Sequence, residues 1–126
     1  MAVTGKDPYD DNNIFARILR GEIPCNKVYE DEFALAFHDI RPQAPVHVLV
    51  VPKGDFVSLA DFCAGAPDAL ITGYFRAIGR VAAQLGLVEH GFRGLFNVGT
   101  DGGQEVPHLH IHLFGGKRLG PMLVRG

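Results

Sequence analysis

Cysteine is scarce in this sequence, as is any excess of positive charge, and each shortage argues against a class of protein. The 126 residues include only Cys25 and Cys63, too few for a disulfide-rich secreted scaffold. One bridge between them is possible in principle, but two reduced thiols are the simpler interpretation. The formal net charge is −2, so we expect no basic surface for a nucleic acid backbone and no DNA or RNA partner.

Long apolar runs are missing as well. No stretch approaches the length that is needed to span a bilayer, so we expect no membrane partner. Residues 1–11 are polar and lack the basic start and apolar core of a signal peptide, which favours a cytoplasmic protein. At this length we expect a single domain over residues 1–126, with residues 1–11 as a flexible tail.

Hydrophobic spacing predicts two helices. The first is short: Asn12 or Asn13 caps its N-terminus, and Gly21 ends it. The second is long, from residue 67 or 68 to about 85, because apolar residues recur there every three or four positions. Gly86 is its expected C-terminal cap.

Apolar and β-branched runs predict five strands, joined mostly by short connections. They cover residues 28–29, 33–37, 47–51, 92–97 and 108–114. The order of elements favours an α+β fold: an antiparallel sheet of about five strands with one long and one short helix. The expected core residues are Phe15, Leu35, Val48, Val50, Tyr74, Ile78 and Leu95.

Three histidines, His108, His110 and His112, alternate with apolar residues in the last predicted strand. Because side chains alternate between the faces of a strand, the three imidazoles are predicted to line one face. Two other interpretations are a solvent-facing strand with three polar side chains and a zinc site, since histidine is a common zinc ligand.

The segment before the histidines favours a phosphate ligand. Residues 99–104 form a glycine-rich loop, which can bring backbone N–H groups close to an anion. A glycine loop alone is a weak signal, but its position directly before three aligned histidines strengthens it. An imidazole beside such a loop suits phosphoryl or nucleotidyl transfer, because it can attack phosphorus while the amides stabilise the oxygen charge.

Two separate blocks resemble the histidine triad family. Residues 108–114, HLHIHLF, match its His-apolar-His-apolar-His pattern, and residues 39–53 are similar to its second signature block. Residues 102–104, GGQ, resemble the Hint branch in particular. The similarity runs from about residue 13 to residue 116. It implies the α+β fold described above, a homodimer in which two sheets join, and no cofactor in the active site.

The resemblance also implies a role for each histidine. His110 corresponds to the nucleophile, which attacks the α-phosphorus of a nucleoside phosphoramidate. Water then hydrolyses the nucleotidyl-histidine intermediate and releases a product similar to AMP or GMP. His112 would contact the phosphate and assist proton transfer, whereas His108 and His47 would support and orient the imidazoles.

A nucleotide pocket is implied in the same way. Its members would be Asp39, Ile40, Phe15, Ile18, Phe37, Asn97, Gly103, Gln104, Glu105 and Val106. Asp39 would bind the ribose hydroxyls. The base would be a purine held by Phe15, Ile18, Phe37 and Ile40, and the remaining residues would line the phosphate region. Each has a structural alternative: core packing for the apolar residues, turn formation for Asp39 and strand capping for Asn97.

Some positions depart from the family pattern. Glu105 stands where many Hint-branch enzymes have Ser or Thr, so we expect its backbone N–H to contribute and its carboxylate to point away from phosphate. Pro107 cannot donate a backbone hydrogen bond. Residues 10–14 contain no cysteine and Asp55 stands near where a histidine ligand is expected, so we predict no structural zinc.

The leading activity is therefore that of a purine nucleoside phosphoramidase. A dinucleoside polyphosphate hydrolase of the same family is the first alternative. A nucleotide-binding regulator with weak catalysis and a metal-binding protein are alternatives of other classes. We assign no role to His38 or His90.

Overall fold

The computed structural model describes residues 3–4 and 7–123. Helix α1 spans Ile14–Leu19 and begins after Asn13, whose side chain accepts the N–H of Ala16 at 2.9 Å. This bond satisfies one of the free donors at the helix start, so the predicted cap is confirmed at Asn13. Gly21, with φ +78°, follows the end of the helix in the left-handed conformation that glycine adopts without strain.

Five strands form one antiparallel sheet, which confirms the predicted fold class. They are β1 (Lys27–Glu30), β2 (Ala34–His38), β3 (Val46–Pro52), β4 (Arg93–Phe96) and β5 (Ile111–Gly115). The order in the sheet is β1-β2-β3-β5-β4. Strand β5 thus lies between β3 and β4, which places the end of the histidine segment beside His47 of β3.

The sequence interpretation missed one helix. Helix α2 spans Leu59–Gly65 and precedes the long helix α3, Asp68–Gln84. The prediction of one short helix is therefore corrected to two. The available signal was the capping box, in which the side chains of Ser58 and Asp61 bond to each other's backbone N–H groups.

Helix α3 packs its apolar side on one face of the sheet. Tyr74 is fully buried there, and its hydroxyl donates to the Val50 carbonyl at 2.8 Å. The helix ends at Gln84 with Leu85 as cap, and Gly86 (φ +70°) follows, so the predicted cap is displaced by one residue. No helix among the described residues is long and apolar enough to cross a membrane.

The opposite face of the sheet carries a second, smaller core. It is formed by Phe15, Leu35, Phe37, Leu49 and Val51. Six of the seven expected core residues are buried. Leu95 is only half-buried because β4 is an edge strand of the sheet.

The segment expected to be a flexible tail contacts the domain at several described residues, of which Val3 and Tyr9 reach residues distant in sequence. Val3 is only 3% exposed, and its carbonyl accepts a hydrogen bond from the Thr100 hydroxyl at 3.2 Å. The Tyr9 hydroxyl lies 2.7 Å from His108 Nδ1. Residues 1–2 and 5–6 lie outside the described residues, and the flexibility of the segment stays a prediction, as does the single domain.

Candidate active site

A cavity of about 390 Å³ opens beside the histidine segment, and we call it the central cavity. Nine of its lining residues were expected in the site from the sequence: Phe15, Asp39, His47, Asn97, Gly103, Glu105, Val106, His110 and His112. Arg41, Gln43 and Leu49 also line it and were missed. All three lie within the 39–53 signature block, which is the sequence feature that could have identified them.

The three triad histidines do not share one strand face, so that prediction is corrected. Strand β5 begins at Ile111, where its pairing with β3 and β4 starts. His108 and His110 therefore precede the sheet ladder. His110 and His112 line the central cavity, whereas His108 is fully buried and does not.

His110 is held as one defined tautomer. Its Nδ1 lies 2.7 Å from the carbonyl oxygen of His108. A carbonyl can only accept, so Nδ1 carries the proton and Nε2, on the opposite edge of the ring, keeps a free lone pair. Burial lowers the pKa of His110, which keeps the ring neutral at neutral pH. The Phe15 ring packs edge-on against it, with centroids 4.9 Å apart.

His47 and His112 form a second pair with defined protons. The Gln43 N–H donates to His47 Nδ1 at 3.1 Å, so the His47 proton must lie on Nε2. That proton is donated to His112 Nδ1 at 3.0 Å, which leaves the His112 proton on Nε2. Burial lowers the pKa of His112 to about 4, and that of His47 also falls, although the nearby Asp39 partly offsets the effect. Both rings are therefore neutral at neutral pH.

One group of residues is close enough together to be considered as a metal site. The ligand atoms of Asp39, His47 and His112 lie within 4.8 Å of one another. A metal on His47 Nε2 would require the proton on Nδ1, where metal-bound histidines normally donate to an acceptor. Here a backbone donor, the Gln43 N–H, faces Nδ1 instead. The proton arrangement of these residues therefore does not fit a metal ion.

His108 lies behind the cavity with both ring nitrogens engaged. Its Nε2 donates to the Pro52 carbonyl at 3.0 Å, and its Nδ1 accepts from the Tyr9 hydroxyl at 2.7 Å. Burial lowers its pKa to about 4. Sequence reasoning missed Tyr9 because it lies in the segment that was taken as a flexible tail.

The glycine-rich loop is held by Gln104 from inside. The Gln104 amide donates to the carbonyls of Val57 at 2.6 Å and Val106 at 3.0 Å. Its oxygen accepts the N–H of Gly99 at 3.0 Å. With all these bonds made within the protein and only 6% of the residue exposed, Gln104 shapes the loop and does not line the central cavity.

The expected apolar slot for a base is only partly present at the cavity. Phe15 lines it, whereas Phe37 belongs to the smaller core and Ile18 packs against that core. Ile40 is 89% exposed and outside the lining. Their role in base binding stays a prediction.

The polar wall of the cavity carries charges of both signs. The Asp39 carboxylate accepts the Arg41 N–H at 2.8 Å, so the turn that it was alternatively expected to form is present. Glu105 is exposed and lines the cavity, and its negative charge opposes the lowering of the His110 pKa. Arg41, which also lines the cavity, supplies a positive charge.

Comparison with known proteins places the chain in one family. The HIT domain model matches residues 20–119. A HIT-like protein of Azospirillum brasilense is 64% identical over 94% of this chain and 97% of its own length. The purine nucleoside phosphoramidase of Escherichia coli is 42% identical over 90% of this chain and 94% of its own length.

Solved structures agree with the sequence relatives. A histidine triad protein from Clostridium difficile has a TM-score of 0.80 and 43% identity, covering 92% of this chain and 100% of that one. A HIT family hydrolase from Clostridium thermocellum has a TM-score of 0.81 and 38% identity, covering 91% and 99%. With these likenesses and the histidine-lined cavity, the chain belongs to the histidine triad (HIT) family.

Proposed function

We propose that the protein hydrolyses a nucleoside 5′-phosphoramidate through a nucleotidyl intermediate on His110. The observation that carries this proposal is the tautomer of His110. Its Nδ1 proton is bound by the His108 carbonyl, so the lone pair on Nε2 is free on the ring edge opposite that bond. A neutral imidazole with a free nitrogen is a competent nucleophile at neutral pH.

Bond changes in the two steps can be assigned to the described residues. His110 Nε2 attacks the α-phosphorus and the P–N bond to the amine breaks, while the His112 Nε2–H donates a hydrogen bond at the leaving group and the amine leaves with a proton taken from water. His112 is suited to this because its ring centroid lies 5.0 Å from that of His110. Water then attacks phosphorus, gives a proton back to the solvent and releases a nucleoside monophosphate with a free His110.

The nature of the substrate is supported by the relative from Escherichia coli, which is a purine nucleoside phosphoramidase. We propose a purine nucleotide substrate with Asp39 at the ribose and Phe15 at the base. We also propose a homodimer formed along the edge strand β4, supported by the exposed side chains of Phe75 and Phe92.

A second candidate is hydrolysis of a dinucleoside polyphosphate, favoured by Arg41. Its side chain supplies a cation at the central cavity, which suits a leaving group that carries further phosphates. Glu105 on the same cavity opposes this, because its carboxylate repels such a leaving group. The two candidates share the attack by His110 and differ in the leaving group.

The experiment compares turnover of adenosine 5′-phosphoramidate and a dinucleoside polyphosphate, each in EDTA. We expect the wild type to prefer the phosphoramidate. His110→Ala should lose at least about 1,000-fold in kcat because the covalent step is removed. His90→Ala, at an exposed histidine, should match the wild type.

Rapid denaturation at alkaline pH, where a P–N bond to histidine survives, followed by mass spectrometry should detect an adenylated protein in the wild type but not in His110→Ala. A wild type that requires metal, or a His110→Ala variant that retains activity, would contradict the nucleophile assignment. Faster turnover of the polyphosphate would replace the first candidate by the second.

A further inference from the structure

The peptide that orients the proposed nucleophile lies outside the sheet ladder. Residues 108–110 precede β5, and the Leu109 N–H is bound instead by the Phe56 carbonyl at 2.8 Å. The His108 carbonyl, which accepts the Nδ1 proton of His110 at 2.7 Å, has no strand partner to fix its direction. The Leu109 N–H belongs to the same planar peptide as this carbonyl, so the bond to Phe56 holds the peptide from one side. The anchoring of His108 holds it from the other side.

The His108 side chain is fixed at both ends of its ring. Nε2 donates to the Pro52 carbonyl at 3.0 Å and Nδ1 accepts from Tyr9 at 2.7 Å. The ring is fully buried, so it cannot exchange either bond for one with bulk water. Without the Tyr9 donor, the Nδ1 lone pair would be buried and unpaired, and the ring could lower its energy by turning toward another donor.

Tyr9 is itself held in place by neighbouring contacts. Its ring packs edge-on against that of His108, with centroids 5.6 Å apart. Asn13, the cap of α1, interacts with its hydroxyl, and burial raises the pKa of Tyr9, so the hydroxyl remains a donor at neutral pH. Helix α1 in turn carries Phe15, which packs against His110. The segment before α1 and the helix itself thus contact the two histidines that precede β5.

We propose that Tyr9 is a positioning residue for the nucleophile. By donating to His108 Nδ1 it fixes the ring of His108, and through that residue's carbonyl it holds His110 as the Nδ1–H tautomer with Nε2 free to attack. Tyr9 does not line the central cavity, so it acts without touching the nucleotide. The catalytic consequence rests on the function proposed above, whereas the effect on the tautomer does not.

The test is Tyr9→Phe, which removes only the hydroxyl and keeps the ring. Tyr29→Phe is the matched control, because the Tyr29 hydroxyl donates to Asp31 at 2.8 Å, away from the site. Long-range ¹H–¹⁵N spectra of the histidine rings report the tautomers directly. We expect the wild type and Tyr29→Phe to show His110 as the Nδ1–H form, and Tyr9→Phe to show a mixture of both forms.

Kinetics supply the second readout. In Tyr9→Phe we expect kcat for the phosphoramidate to fall about tenfold, the effect of losing one buried hydrogen bond. KM should change less than about twofold, because uniform substrate binding is not affected. Tyr29→Phe should keep the wild-type kcat. A second variant, Tyr9→Leu, also removes the hydroxyl donor but replaces the ring by an aliphatic side chain. The folded variant should show the same change of the His110 tautomer.

Each outcome decides the proposal. An unchanged Nδ1–H spectrum of His110 in both Tyr9 variants would overturn it, whatever the activity. A mixed spectrum with an unchanged kcat would overturn the catalytic consequence. A wild type that does not cleave the phosphoramidate would count against the proposed function alone, because the spectra would still decide whether Tyr9 sets the tautomer.

Discussion

Four histidines of the site, His47, His108, His110 and His112, carry the same imidazole ring but have different roles, because different groups face their ring nitrogens. A carbonyl faces His110 Nδ1, a backbone N–H faces His47 Nδ1, and a phenol faces His108 Nδ1. Each partner fixes the nitrogen on which the ring carries its proton, and only in His110 does this leave a free lone pair on Nε2. A nucleophile and a hydrogen-bond donor are thereby placed side by side as His110 and His112.

The pH dependence of turnover follows from these environments. Burial lowers the pKa of His110 and lowers that of His112 to about 4, both from the usual 6.5. Lowered values mean that the reactive neutral forms persist below pH 6.5. We expect kcat/KM to stay level from pH 7.5 to below 6.5 and to fall only at lower pH. An acid limb centred at or above 6.5 would contradict the burial of these rings.

At the scale of elements, small residues decide how closely α3 approaches the rest of the fold. Gly73 faces the ring of Phe33, and a Cβ there would lie 2.2 Å from that ring. Phe33 cannot move freely, since its N–H donates to Asp31 and its carbonyl accepts from Lys53. Gly79, on the same helix, faces open space.

Two alanine substitutions on α3 should therefore have opposite effects. Gly79→Ala should raise the free energy of unfolding by roughly 0.5–1 kcal/mol, because alanine is the better helix former. Gly73→Ala should lower it by about 1–3 kcal/mol, because the clash with Phe33 outweighs that gain. Urea unfolding of both variants measures the difference. Stabilisation by Gly73→Ala would show that the Phe33 ring can yield.

For the whole molecule, placing several histidines in one interior couples stability to pH. His108 and His112 have a pKa of about 4 in the folded protein, against the usual 6.5 in an unfolded chain. Between these values the unfolded chain binds more protons, so the free energy of unfolding falls as the pH falls from 6.5. Above 6.5 neither state is protonated and this effect vanishes.

Thermal unfolding should show this dependence. We expect Tm to drop by about 5 °C or more between pH 6.5 and pH 4.5, and to be nearly level between pH 6.5 and pH 7.5. The His90→Ala variant should show the same slope, because that histidine is exposed. A Tm that stays constant down to pH 4.5 would mean that the buried histidines titrate normally.

Local chemistry in the chain determined most of the elements and the composition of the site. Asn13 begins α1 by bonding to its first turn, and periodic apolar residues define α3; both depend on neighbours in sequence. Helix α2 escaped notice because it is short, although its capping box was visible at Ser58. Nine cavity residues could be named from the family resemblance, and four of them lie in the two signature blocks.

The protonation pattern was decided only by the tertiary structure. Tyr9 and His108 are 99 residues apart, and His47 and His112 are 65 apart, so no local pattern predicts their bonds. The alternation of histidines suggested a continuous strand face. Pairing with β3 and β4 begins only at Ile111, so His108 and His110 lie outside the sheet ladder. The sequence by itself determined which imidazoles are present. Folding decided which nitrogen of each carries the proton, because that depends on the donor or acceptor that distant segments bring to it.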